Sequence, residues 1–296
     1  MKRRLLIWRV VAIAAVLAVG AIAIGKRDIS GSTAHVARVR ISGEIGEDRK
    51  LIEAILALAK DDSAKAVILA INSPGGSVGA SEALHTAISL LAQNKPVVAV
   101  MGSVAASGGY MAAVAAQRIL ARQSTITGSI GVIGSNYVVS DLLAKVGVSP
   151  ETFRSGEMKD QPSITHPISP EGRVVFQGII QDLYEQFLDK VAAGRKMDRD
   201  KLRALADGRI YTGRQAVANG LVDAIGGEPD AREWLASTRD VPKSLPIRDV
   251  EKLTGWEKLV GQSAEEIFQG ILKTLFSQRV SLDGPMAIWQ PFDTKG

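Results

Sequence analysis

The chain has 296 residues, of which 46% are hydrophobic and 23% charged, and this is long enough to bury a globular core. It contains no cysteine, which excludes disulfides, thiolate nucleophiles and zinc ribbons. The net charge is +5, but residues 1–27 hold six basic residues and no acidic one, so the remainder carries −1. A basic stripe typical of nucleic-acid binding is absent from that remainder, and we predict no nucleic-acid partner.

The N-terminus has a basic start followed by an apolar run from Val10 to Gly25, with Arg9 near the basic end. Its length approaches the ~20 residues that span a bilayer, and the basic start predicts a cytoplasmic N-terminus. A cleaved secretory signal is the alternative, with an acceptable cleavage site at Ala21–Ala23. We favour an uncleaved single-pass anchor over residues 1–27. The following domain would then lie on the periplasmic (extracytoplasmic) side of the inner (plasma) membrane.

After a polar linker at residues 28–34, strand and helix patterns alternate along the chain. In order they are the strand "HVARVRISG", the helix "DRKLIEAILALAKDD", the strand "KAVILAI", the turn "NSPGGS", the helix "GASEALHTAISLLAQN" and the strand "KPVVAVM", which leads into "GSVAASGGYMAA". This alternation predicts an α/β domain with a mostly parallel sheet, whose ligands bind beyond the carboxyl ends of the strands. Both glycine-rich segments are predicted at such ends.

A long helix follows, with Ser169 as its cap and Pro170 in its first turn. Its apolar face is expected to pack in the core or at a subunit interface, and comprises Phe176, Ile179, Ile180, Leu183 and Phe187. We predict a peptidase-like α/β domain over residues 35–235 and a helical extension over residues 236–296. The amphipathic segment "EKLVGQSAEEIFQGILKTLFSQRV" in that extension could pack on the domain, on the membrane surface or on a sister subunit, which we favour.

Ser107, in "GSVAASGGYMAA", has the surroundings of a nucleophile, since its neighbours are small and two glycines follow it. A serine at the start of a helix also lies in a positive field that favours a developing anion. A tight packing turn would use the same residues, so spacing alone leaves both interpretations open. The "SPGG" turn with Gly75 and Gly76 offers amides for an oxyanion, although Pro-Gly-Gly is also a common turn.

The choice of a base is less clear from the residues. His35 starts a strand and His85 lies within a helix, so only His166, in a loop, remains a possible histidine base. A Ser-His-Asp triad is therefore poorly supported. A lysine made neutral by burial can replace histidine, and Lys159 lies in the irregular loop "FRSGEMKDQPS", but its position alone does not select it.

Five motifs in this order carry a family resemblance: "NSPGGSV", "MGSVAASGGYMAA", "TITGSIGVIG", "RSGEMKD" and "DGRIYTGRQAVANGLVDAIG". Together they resemble the signal peptide peptidase A family, in the short single-domain form of the protease IV serine peptidases, over residues 35–230. The resemblance implies a ClpP/crotonase-like fold, a Ser–Lys dyad, and neither a cofactor nor a metal.

The resemblance also implies roles for individual residues. Matched motif to motif, Ser107 is the nucleophile, Lys159 is the general base, and the hydroxyl of Ser129 orients the lysine amine. The implied oxyanion donors are the amides of Gly76 and Gly108, with Gly75 as a further member. A carboxylate close to Lys159 would raise its pKa, so we predict that Glu157 and Asp160 point away from it.

The function implied is a membrane-anchored serine endopeptidase that degrades residual signal peptides, and other apolar peptides, after secretory processing. Subunits are expected to form a homo-oligomeric ring, of eight subunits by resemblance. Two alternatives stay open. A crotonase-type acyl-CoA enzyme shares the fold, but the export segment and the Ser107/Lys159 pair argue against it. A non-catalytic membrane scaffold is opposed by the intact pair.

Overall fold

The computed structural model describes residues 33–250 of the chain. The predicted anchor at residues 1–27 and the amphipathic segment of the C-terminal extension lie outside the described residues. Between residues 33 and 250, no helix is both long enough and apolar enough to cross a bilayer. One compact unit ends at Val250, so the stretch from 236 to 250 belongs with the sheet that precedes it.

One sheet with eight strands organises the described part of the chain. The strands are β1 (His35–Ile45), β2 (Ala64–Gly76), β3 (Val97–Ala106), β4 (Arg118–Ala121), β5 (Ile126–Gly128), β6 (Ile210–Thr212), β7 (Ala224–Ile225) and β8 (Ile247–Asp249). Their order is β6-β5-β3-β2-β1-β8, and β4 lies between β3 and β7. Every pair is parallel except β5 with β6. The predicted α/β class with a mostly parallel sheet is confirmed.

The helices join the strands and cover the sheet. They are α1 (Arg49–Leu58), α2 (Val78–Asn94), α3 (Gly108–Ala113), α4 (Ser140–Lys145), α5 (Pro170–Arg195), α6 (Arg199–Leu205), α7 (Gly213–Ala218) and α8 (Glu228–Arg239). Ser77 caps α2, and Ser169 caps α5 by accepting a hydrogen bond from the Gly172 amide at 2.9 Å. The predicted start of the long helix is therefore confirmed.

The core has two parts, one on each face of the sheet, because successive side chains of a strand point to opposite faces. Leu69 of β2 packs on one face with Ile88 of α2 and Phe187 of α5. Its chain neighbour Ile68 packs on the other face with Leu235 of α8. Burial on both faces explains the continuous apolar run of β2, which is typical of a central parallel strand.

The "SPGG" motif is part of β2 and is not a turn. Gly75 and Gly76 continue the ladder with β1, opposite Glu44 and Ile45, and the chain turns only at Ser77. The predicted turn directly after the apolar run is therefore wrong. The physical reason is close backbone approach, because a Cβ on Gly76 would lie 2.1 Å from the carbonyl oxygen of Ile45.

A bulge in β3 redirects the carboxyl end of that strand from β4 toward β5. From Met101 to Ala105 the strand advances four residues while β2 advances two, from Ile71 to Ser73. The side-chain carbonyl of Asn72 fills the gap by accepting hydrogen bonds from the amides of Ser103 and Val104, both at 3.1 Å. Before the bulge β3 pairs with β4, and after it β3 pairs with β5.

Candidate active site

Ser107 lies between the end of β3 and the start of α3, in a backbone conformation that L residues rarely adopt (φ 52°, ψ −122°). Its amide donates to the carbonyl of Gly128 at 2.9 Å, and its carbonyl accepts from the Met111 amide at 2.9 Å. A serine at a helix start usually caps the helix with its hydroxyl, but this one makes no capping bond. The hydroxyl of this half-buried residue is therefore available for another partner.

Glycines crowd against Ser107 with no space for a side chain. A Cβ on Gly75 would lie 2.8 Å from both the Gly108 amide nitrogen and the Cβ of Ser107. A Cβ on Gly108 would lie 2.1 Å from the hydroxyl oxygen of Ser81. The small residues around Ser107 thus serve tight packing, and this same packing fixes the serine in its strained conformation.

Two of the three predicted oxyanion residues lie beside this serine: Gly108 follows it, and Gly75 packs against it. The amide of Gly75 donates to the Ser73 hydroxyl at 3.1 Å, and its φ of 108° requires glycine. Gly76 follows it at the exposed end of β2, and Gly108 is the first residue of α3. Oxyanion donation by Gly75, Gly76 or Gly108 stays a prediction.

Ser129 follows the end of β5 as Ser107 follows the end of β3. Ala106 and Gly128 are partners in the parallel ladder, so the two serines extend beyond neighbouring strand ends. Ser129 also has a positive φ, of 49°, and its amide donates to the carbonyl of Arg209 at 2.9 Å. The structure therefore brings these two predicted site residues side by side, each in a strained conformation.

Lys159 lies in the exposed segment between α4 and α5. Its amide donates to the carbonyl of Gly156 at 3.0 Å, and its side chain is exposed. Within the described range, no hydrogen bond or ion pair joins its amine to Ser107, Ser129 or any other group. The structure therefore brings Ser107 and Ser129 together but shows no contact of either with Lys159, and the dyad stays a prediction.

The two acids near Lys159 have other partners. The carboxylate of Asp160 accepts from Arg154 at 3.0 and 3.1 Å and pairs with Nε2 of His166 at 2.9 Å. Glu157 accepts from the other guanidinium nitrogen of Arg154 at 2.9 Å. These contacts agree with the prediction that both carboxylates point away from Lys159.

Histidines take no part in the arrangement around Ser107. His166 is engaged by Asp160, and His35 is buried at the start of β1. His85 lies in α2, where burial and the nearby charge of Lys190 lower its pKa to about 4. The contacts of the three histidines therefore do not supply a base for Ser107.

Two polar residues near Ser107 were not predicted as part of the site from the sequence. Asn72 shapes the bulge before Ser107, and Ser73 holds the amide of Gly75. Both lie directly before "PGG", so their adjacency to the motif was the available signal. The role of Asn72 depends on pairing between β2 and β3, which spacing along the chain does not reveal, whereas the bond of Ser73 with Gly75 is local to β2.

A strained serine at the carboxyl end of a parallel strand, followed by a helix and glycine amides, is the nucleophile arrangement of a serine hydrolase. The sequence model of peptidase family S49 matches residues 89–242, and that of the Clp proteases matches residues 26–145. This chain belongs to peptidase family S49, and it is an SppA-like serine endopeptidase.

Relatives from three organisms are similar over most of this chain. A protease of Synechocystis sp. is 38% identical over 78% of this chain and 87% of its own length. An Enterococcus faecium protein named as a signal peptide peptidase SppA is 35% identical over 75% of this chain and 65% of its own length. The chloroplast serine protease SPPA of Arabidopsis thaliana is 35% identical over 75% of this chain and 35% of its own length.

Proposed function

We propose that this serine endopeptidase is anchored in the membrane by residues 1–27 and degrades residual signal peptides with a Ser107–Lys159 dyad. The observation that carries the proposal is the pair of strained serines, Ser107 and Ser129, at neighbouring strand ends. The name of the enterococcal relative supports the substrate class. The basic and apolar N-terminus supports the anchor and an extracytoplasmic site on the plasma membrane.

In the proposed mechanism the neutral amine of Lys159 takes the proton of Ser107 as the serine oxygen attacks a peptide carbonyl. The amides of Gly76 and Gly108 stabilise the oxyanion. The lysine ammonium then gives its proton to the leaving amine, and a water activated by the same amine hydrolyses the acyl-enzyme. Ser129 orients Lys159, because a hydroxyl can hold a neutral amine without restoring its charge.

An exposed apolar surface supports assembly of several subunits. Between residues 133 and 179 the described structure exposes twelve large hydrophobic side chains: Ile133, Tyr137, Val138, Leu142, Val146, Val148, Phe153, Met158, Ile164, Val174, Val175 and Ile179. Surfaces of this kind are typical of protein interfaces. We propose that subunits pack through this region in a homo-oligomeric ring, of eight subunits by resemblance, and that packing shields Lys159 from water.

Cleavage of casein and of a synthetic signal peptide by the purified full chain tests the dyad. Ser107→Ala and Lys159→Ala should each lower kcat by about a thousandfold or more. Lys201→Ala replaces an exposed lysine in α6, outside the proposed subunit interface; it is the matched control and should cleave like the parent. If both dyad variants cleave like the parent, the mechanism is wrong.

A fluorophosphonate probe separates the alternatives. Acylation of Ser107 that increases with pH, as Lys159 loses its proton, contradicts a crotonase-type enzyme and a non-catalytic scaffold. Signal-peptide turnover in cells that lack the protein tests the substrate independently. Unchanged turnover would remove signal peptides as the substrate and leave the peptidase class intact. Light scattering of the purified chain measures the number of subunits, and a monomer would contradict the ring.

A further inference from the structure

The two residues that follow Lys159 are both anchored. Asp160 is held by Arg154, six residues before it, and by His166, six residues after it. The side-chain oxygen of Gln161 accepts a hydrogen bond from the amide of Ser169, the residue that caps α5, at 3.2 Å. The backbone that carries Lys159 is therefore attached to the start of a long helix, although its own side chain makes no contact.

His166 contacts acceptors with both ring nitrogens. Nε2 lies 2.9 Å from a carboxylate oxygen of Asp160, and Nδ1 lies 3.1 Å from the carbonyl oxygen of Pro167. A neutral imidazole carries one N–H and can donate to only one of them, whereas the imidazolium donates to both. The geometry around this ring therefore favours the charged form.

Charged groups surround this ring from both sides of the loop. Asp160, Arg154 and Glu157 belong to the segment before it, and Glu171 of α5 lines the same recess. The side chain of Asp160 is only 15% exposed, so solvent screens its bond with His166 incompletely.

We propose that Asp160 and His166 are positioning residues that hold the Lys159 segment for catalysis, and that protonation of His166 tightens this hold. The inference rests on the proposed role of Lys159. The hydrogen bonds of His166 with the Pro167 carbonyl and Asp160 raise its pKa, and the bonds of Asp160 with His166 and Arg154 lower the pKa of that carboxyl.

The direction of the pH effect follows from these contacts. Below the raised pKa of His166 the imidazolium makes both hydrogen bonds, and above that pKa the neutral ring makes one. The ratio of parent to variant activity at each pH isolates the contribution of His166, because the effects of pH on all other groups are common to both proteins.

The test is His166→Gln in the full chain, measured as kcat for peptide cleavage and as the rate of Ser107 acylation by a fluorophosphonate. Glutamine keeps one neutral donor and has no charge to lose. The parent should exceed the variant by about fivefold to tenfold near pH 6, because charge-assisted hydrogen bonds are about twice as strong as neutral ones. The ratio should fall toward about one near pH 9, with KM changed by less than about twofold. A ratio that is constant with pH would indicate a merely structural role and would overturn the proposal.

A second variant tests whether Asp160 and His166 act as a pair. Asp160→Asn should lower kcat about tenfold or more at every pH, because the carboxylate is the shared partner of Arg154 and His166. In that background His166→Gln should have no further effect, and an undiminished effect would contradict the pair. Glu171→Gln removes a charge from the same recess without touching either residue, and it should behave like the parent.

Failure of this inference is distinguishable from failure of the proposed function. An active Lys159→Ala variant would overturn the dyad and the positioning pair together. An inactive Lys159→Ala variant with a constant His166→Gln ratio would overturn the positioning pair alone. Thermal denaturation of each variant confirms that the folded enzyme is compared.

Discussion

The amide of Ser107, one residue beyond the last paired residue of β3, donates across 2.9 Å to the carbonyl of Gly128, the last paired residue of β5. Through this bond the amide of Ser107 is still held by the neighbouring strand, as in the sheet. Its carbonyl already accepts the first helical bond of α3, from Met111. Ser107 is therefore fixed from both directions while its own φ is positive, and the surrounding sheet stabilises this strain.

Replacement of Ser107 by glycine should stabilise the fold and abolish peptide cleavage. Glycine adopts a φ of 52° without steric cost, whereas alanine retains the strain of serine. The greater freedom of glycine in the unfolded chain offsets part of this gain. We therefore expect the free energy of unfolding of Ser107→Gly to exceed that of Ser107→Ala by about 1 kcal/mol. Urea denaturation of both variants measures this difference, and a Ser107→Gly variant less stable than Ser107→Ala would show that the backbone is unstrained.

Replacement of Gly75 by alanine should displace Ser107. The new Cβ would lie 2.8 Å from both Ser107 and the Gly108 amide, and the φ of 108° is unfavourable for alanine. We expect a loss of about a hundredfold or more in kcat, because small misplacements of reacting groups are costly. Gly79→Ala is the control, since no atom lies within 4 Å of its Cβ position in α2. It should keep full activity with a slightly higher Tm, and comparable activity of both variants would contradict the packing described.

Replacement of Asn72 by alanine should leave the amides of Ser103 and Val104 without their partner in the β3 bulge. We expect lower kcat and a loss of about 1–2 kcal/mol in the free energy of unfolding. Asn72→Asp retains an acceptor oxygen in the same place, so it should recover most of the activity. If alanine and aspartate behave alike, the bulge does not depend on this side chain.

His85 should make the fold less stable in acid. Burial, reinforced by Lys190, lowers its pKa from an ordinary 6.5 to about 4. The unfolded chain therefore binds the proton first as pH falls, so the stabilising contribution is complete above pH 6.5 and is lost toward pH 4. The loss is at most about 3 kcal/mol. Denaturation of parent and His85→Gln across this range measures it, and parallel pH curves for the two proteins would contradict it.

The sheet could be predicted from the sequence because its determinants are local. Alternation of apolar runs with amphipathic helices gave the strands β1, β2 and β3 and the helix α5, and Ser169 marked the start of that helix. The true end of β2 was not predictable, since Gly75 and Gly76 read as a turn until the neighbouring backbone of Ile45 is in place.

The site was predictable only in part, for a related reason. Small residues around Ser107 have the same pattern whether they serve packing or catalysis, and the structure shows that they pack against Gly75. The positions of Ser107 and Ser129 at neighbouring strand ends follow a bulge whose key residue, Asn72, lies in another strand. Lys159 was selected by resemblance, and its environment in the chain does not single it out.

The glycines around Ser107 also limit how such an enzyme can change its specificity. At each of four positions an added methyl group would meet backbone or a neighbouring side chain: Gly75, Gly76, Gly108 and Gly109. These four positions therefore cannot take larger residues without displacing the backbone around Ser107. Most residues of the segment between Ile133 and Ser169 are exposed, so that segment has room for new side chains. We therefore expect a change of substrate to arise from substitutions in that segment at positions other than Lys159, Asp160 and His166, with Gly75, Gly76, Gly108 and Gly109 unchanged.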